Sequence, residues 1–86
     1  MKLLNKNIDM ISWTSKEGAV TPIRFRLEED GENVTIKVNH ILQTESNRFG
    51  GSQTLFFLCS SIIHDTEKIY ELAYHCDNQK WLLRKI

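Results

Sequence analysis

The chain has no excess charge of either sign, no long hydrophobic run and almost no proline. Eleven Lys and Arg balance eleven Asp and Glu, so no bulk field draws it to nucleic acid or to an anionic membrane. No segment approaches the ~20 consecutive apolar residues that span a bilayer. The opening MKLLNKNIDMIS has too short an apolar run for a signal peptide, and the expected compartment is the cytoplasm, with no membrane attachment. There are two cysteines and no Cys-x-x-Cys knuckle, which argues against a disulfide framework or a zinc finger. No stretch shows the 3.6-residue helical period. Folds that hold a phosphate at the start of a helix are thereby excluded.

What is present is strand chemistry. With 86 residues, 41% of them hydrophobic and 26% charged, the composition suits one globular domain over residues 1–86. Residues 1–7 carry no pattern and read as a frayed lead-in. Lys68–Cys76 alternates with period two, setting Tyr70, Leu72, Tyr74 and Cys76 on one side. Leu55–Ile63 is nearly all apolar, and the polar break His64–Glu67 after it reads as a turn. Closing there pairs Ile63 with Lys68 and Cys59 with Leu72. Asp77-Asn78-Gln79 makes a second turn, which sets Trp81 opposite Cys76. Both registers select one face: Leu55, Phe57, Cys59, Tyr70, Leu72, Tyr74, Trp81 and Leu83. In this register the two cysteines lie about four residues apart, roughly 13 Å at strand rise. A disulfide needs Cα atoms within about 7 Å, so both read as free thiols.

The strongest local signal lies upstream. Ile23–Leu27 and Val34–Val38 alternate strictly around Asp30-Gly31, the preferred two-residue hairpin turn. Closing on it pairs Leu27 with Val34, Phe25 with Ile36 and Ile23 with Val38. Pro22 lacks an amide donor and belongs at a strand start or an edge. Ile8–Thr14 forms a further strand closed by Ser15–Gly18, for which a three-residue loop turns Ile11 and Trp13 inward; a slip of one residue turns Ile8 and Met10 inward instead. Ser46–Ser52 has loop composition. The expected architecture is all-β, one antiparallel meander of about six strands coiled into a small barrel or roll, with a two-layer sandwich as the alternative.

Two surfaces attract functional readings. The second face of the C-terminal strands carries Phe56, Leu58, Ile62 and Ile69, more apolar than a wet face should be. Barrel curvature, a homodimer interface or cover from the N-terminal segment each account for this, and a protein partner or a second copy would fit the same residues. The outward row Arg24, Arg26 and Lys37 can contact phosphates, and Arg48 and Phe49 in the Gly-rich loop add a stacking group. Against that stands a solvated strand face on which Asp9 pairs with Arg24. Cys59, His64, His75 and Cys76 are the residue types that bind zinc, but adjacent His75 and Cys76 point to opposite faces of a strand. No Cys–His pair shares a face for nucleophilic catalysis. No enzyme activity, metal or cofactor is expected. The chain reads as a binding or accessory module, with a basic-face nucleic-acid binder as the alternative.

Thr21-Pro22-Ile23-Arg24-Phe25-Arg26, Tyr70-Glu71-Leu72-Ala73-Tyr74 and Lys80-Trp81-Leu82-Leu83-Arg84-Lys85-Ile86 resemble a family of short uncharacterised bacterial β proteins. Its members show a P-x-R-F strand, a Y-E-L strand and a final W-x-L strand. The likeness covers residues 11–86. It implies an all-β fold and no catalytic residues, and related domains beside polymerase-like DNA-repair proteins point weakly to nucleic acid.

Overall fold

Alternating sequence produces strands throughout, and the computed structural model, which describes residues 1–86, contains no helix. Its seven strands are β1 (Leu3–Thr14), β2 (Val20–Glu29), β3 (Glu32–Lys37), β4 (His40–Phe49), β5 (Ser52–Ile63), β6 (Thr66–His75) and β7 (Lys80–Lys85). They form one antiparallel sheet of order β3-β2-β1-β7-β6-β5-β4. The β2–β3 hairpin closes as its residues dictate. Leu27 faces Val34, Phe25 faces Ile36, and Asp30 and Gly31 both take positive φ, which matches the strands' twist.

Strand β1 belongs to two layers. Leu3–Ile8 pair with β7, whereas Asp9–Thr14 pair with β2. The sheet folds over at this strand, so Phe25, Leu27 and Ile36 meet Phe57, Cys59, Tyr70, Leu72, Trp81 and Leu83 in one core. The expected core face of the C-terminal strands is the one that is buried or packed against this core. Phe25 and Tyr70 tie the layers together at 5.5 Å between ring centroids. A buried polar chain does the same: the Ser61 hydroxyl donates to the Lys37 carbonyl at 2.6 Å and shares a 2.6 Å hydrogen bond with the Tyr70 hydroxyl.

Several expectations are corrected. There are seven strands rather than six, because His40–Phe49 is a strand although Ser46–Ser52 has loop composition. Two glycines with positive φ, Gly50 and Gly51, turn it tightly onto β5. Its residues are polar on both faces, so no alternation marks it; the free edge of β5 gives it a hydrogen-bonding partner. The sheet is not closed into a barrel. The Asn39 amide donates to the Ser60 carbonyl at 3.1 Å and the Ile62 amide to Asn39 Oδ1 at 2.9 Å, which fastens the β3–β4 corner to β5. Beyond the corner no ladder joins β3 to β4.

The expected β5–β6 and β6–β7 registers are each displaced by two. Ile63 faces Thr66 and Cys59 faces Tyr70, because His64 and Asp65 both take positive φ and close a two-residue turn, which these residue types tolerate. Tyr74 faces Trp81 because a four-residue turn, Cys76–Gln79, closes between His75 and Lys80, with Gln79 at positive φ and its amide donating to the His75 carbonyl at 2.8 Å. A shift of two preserves facing, which is why the core face survives. The first hairpin does not survive. Met10 faces Phe25, and Ile8 and Met10 pack against the core, while Ile11 and Trp13 are each 62% exposed. The expected three-residue loop does form. The Ser15 amide donates to the Ala19 carbonyl at 2.9 Å, the Gly18 amide donates to the Ser15 carbonyl at 2.9 Å, and the Ser15 hydroxyl accepts the Ala19 amide, so the change of facing arises beyond the turn. A register shift at Ile11/Ser12 leaves Ile23 as an extra residue, so both Ile23 and Arg24 face solvent between buried Pro22 and Phe25. Residues 3–7 are strand rather than a frayed lead-in. They satisfy the edge of β7, and Asn5, with φ of 48°, absorbs a bulge that erases their alternation.

Candidate binding surfaces

The four apolar residues Phe56, Leu58, Ile62 and Ile69 share the outer face of the β4–β7 layer but not one environment. Phe56 and Leu58 are half-buried. The Arg84 guanidinium lies 4.9 Å from the Phe56 ring centroid and pairs with Glu71, so neighbouring strands already roof this part. Gln43 and Glu45 of β4 line the shallow hollow beside it. Ile62 and Ile69 remain open, at 60% and 47% exposure. The pairs His40–Ser60 and Ser60–Ile69 place them beside the start of β4.

All ten residues of β4 are exposed. The strand bonds to β5 along one edge and to nothing along the other, leaving a row of free main-chain donors and acceptors. Exposed Ile41, Leu42 and Phe49 lie along it, with Phe49 86% exposed. A bulge at Leu42 interrupts the ladder near its start. Sequence reasoning missed this edge, and the signal that could have found it is the Gly50-Gly51 pair.

The basic residues divide into two places. Arg24 lies directly opposite Lys37 and Arg26 opposite Thr35. Asp9 pairs with Arg26 at 2.8 Å rather than with Arg24, because Asp9 and Arg26 are cross-strand partners. Arg48 and Phe49 sit at the tip of the β4–β5 hairpin, and β4 touches no strand other than β5. They are therefore not brought to the Arg24 row. What is brought there is Ile11, opposite Arg24, with Trp13 further along the same strand, an aromatic neighbour that the expected register had buried.

The zinc-type residues do not converge, and no three His, Cys, Asp or Glu side chains cluster. Cys59 faces the core, where burial pushes its thiol up to about 12, so it carries no thiolate at neutral pH. Burial also pushes the Tyr70 phenol to about 12, partly opposed by its hydrogen bond with Ser61 and assisted by proximity to Cys59. His75 Nδ1 lies 3.2 Å from Thr54 Oγ1, near the half-buried Cys76, while His64 occupies the opposite hairpin turn. Both cysteines are free. Compared with protein families, curated proteins and solved structures, the chain matches none.

Proposed function

We propose that this chain is a non-enzymatic binding module, a cytoplasmic barrel-like roll that takes an extended protein segment by strand addition to β4. The observation that carries this reading is the strand itself: ten exposed residues hydrogen-bonded along one edge only. An added strand satisfies the free amides and carbonyls, and exposed Leu42 and Phe49 supply side-chain contacts. A second copy satisfies the same edge, with Ile62 and Ile69 beside it. The test selects extended peptides that bind the protein and maps them by amide exchange. Protection should appear on β4 amides that exchange freely in the unbound protein. Affinity should change little between about 50 and 200 mM salt, since apolar and main-chain contacts are weakly screened. A footprint elsewhere, with β4 still exchanging freely, would reject the reading. Light scattering over a concentration series separates self-pairing from a foreign partner.

A second reading rests on a different observation. Arg24 and Lys37 face one another across β2 and β3, a like-charge pair that costs stability unless an anion lies between them, and exposed Ile11 and Trp13 flank the pair. A single-stranded nucleic acid would place phosphates on the cations and a base on the indole. Binding of a labelled oligonucleotide that weakens steeply with salt, and again with Trp13→Ala, is the outcome that favours it.

A further inference from the structure

At the end of the molecule where the Asp30-Gly31 and His64-Asp65 turns approach each other, the two layers part. A cleft of about 420 Å³ opens there, within the roughly 300–1,000 Å³ range of small-molecule sites. Its wall is apolar, formed among others by Leu27, Ile36 and Leu83, which are also core residues. Its rim is cationic: Lys2, Lys6 and Lys68 line it together with His64, and Glu29 is the one carboxylate among the lining residues. Lys6 Nζ donates to the Glu28 carbonyl at 2.5 Å. The ammonium groups of Lys2 and Lys68 pair with no carboxylate of the chain. The two flanking hairpin tips carry Glu28, Asp30, Glu32, Asp65 and Glu67, so the positive charge is confined to the cleft lining itself, where two of the three ammonium groups have no internal partner.

We infer that this cleft binds a small anion with an apolar tail, of the class of a medium-chain fatty carboxylate, with the tail between the layers and the head held by Lys2 and Lys68. The site lies away from β4 and from the Arg24–Lys37 pair. It makes the opening between the layers a ligand site rather than a packing defect. Charge complementarity sets the sign of the head group. The depth of apolar wall sets the preference for a chain over a compact anion.

The probes are octanoate and decanoate, each below its micellar concentration, titrated into isotopically labelled protein and followed by amide shifts. Shifts should concentrate on Leu4, Leu27, Ile36, Ile63 and Leu83. Decanoate should bind about fifteenfold more tightly than octanoate, which is two methylenes at ~0.8 kcal/mol each. Decyltrimethylammonium, with the same tail and the opposite charge, should shift these amides far less. Lys68→Glu and Lys2→Glu should weaken decanoate, while Lys16→Glu in the first hairpin loop should not. Both rim lysines are exposed, so an unchanged amide spectrum elsewhere certifies the fold of each variant. Equal response to the cationic amphiphile, no dependence on chain length, or shifts scattered over the surface would overturn the inference. So would binding to phosphatidylglycerol vesicles with no response to free decanoate.

Discussion

Strands β4 and β5 are paired along almost their whole length, yet they live in different worlds. On β5, Phe57, Cys59, Ser60 and Ser61 are buried; on β4, every residue is exposed. Main-chain hydrogen bonding alone therefore does not distinguish a core strand from a peripheral one. The difference comes from what lies across the fold. The inner side chains of β5 meet Phe25 and Ile36 from the other layer, because the Ser61–Lys37 and Asn39–Ser60 bonds hold β3 against β5. Past that corner β4 has a neighbour on one edge and solvent elsewhere. One strand is fixed by side-chain packing, and the other is held by its ladder and left available.

Truncation on the packed side should give the largest effect. Leu72 is fully buried, between Phe57 on β5 and Leu83 on β7. Leu72→Ala should cost roughly 2–5 kcal/mol in chemical denaturation. Against the ~5–15 kcal/mol total of a typical domain, that leaves a large unfolded fraction or a marginal fold. A near-neutral result would mean the core is not where the packing places it.

The same core makes stability fall at high pH. The Cys59 thiol and Tyr70 phenol ordinarily ionise at 9.0 and 10.0, and burial holds both folded-state values near 12. Each group is neutral when protonated, so the native state favours the proton. Below pH 9 both states are protonated and stability does not depend on these groups. Between pH 9 and 12 the unfolded chain releases protons that the folded chain retains, and unfolding free energy drops by something on the order of a few kcal/mol. Denaturation midpoints across that window measure the slope, and Cys59→Ala should flatten it. A slope unchanged by Cys59→Ala would place its source elsewhere.

A smaller loss tests the seam that makes β5 a core strand. Ser61→Ala removes the hydroxyl that Lys37 and Tyr70 share, leaving buried polar groups unpaired at about 1–3 kcal/mol. If the seam holds β3 against β5, amides of the Val38–Asn39 corner should also lose exchange protection. Loss of stability without that local opening would mean the hydroxyl serves Tyr70 alone.

The packed side was the legible one. Its strands alternate, and their inner residues remain correct even where the registers are displaced by two, since facing repeats every second residue. Trp13 shows the other case. The three-residue loop after it forms as expected, but the extra residue at Ile23 shifts the register beyond Pro22, and that one-residue step exchanged the buried set for the exposed one. The available side was illegible for a physical reason. HILQTESNRF has no apolar face because it buries none, and hydrogen bonding to β5 leaves no mark on residue type beyond the two glycines of its turn. Of the apolar residues read as an interface, Phe56 proved partly roofed by Arg84 and Leu58 lies opposite Glu71, the partner of Arg84, an arrangement that needs the β5, β6 and β7 registers together before it can be seen.

The smallest effect on stability carries the most information about function. Leu42→Lys and Phe49→Lys alter exposed side chains of β4, and surface changes of this kind move stability by within about 0.5 kcal/mol. Lysine on a free edge is a common natural block to strand pairing, because an added strand has to desolvate the ammonium. If β4 is the docking edge, the double variant should unfold at nearly the wild-type denaturant concentration and yet lose peptide binding, or lose dimerisation in light scattering if the occupant is a second copy. Phe56→Glu and Ile69→Glu then separate the edge from the adjoining face. Binding unaffected by the lysines but lost with Ile69→Glu moves the site onto the β5–β6 face. A double variant that unfolds as readily as Leu72→Ala would break the comparison itself, because β4 would then be part of what holds the fold together.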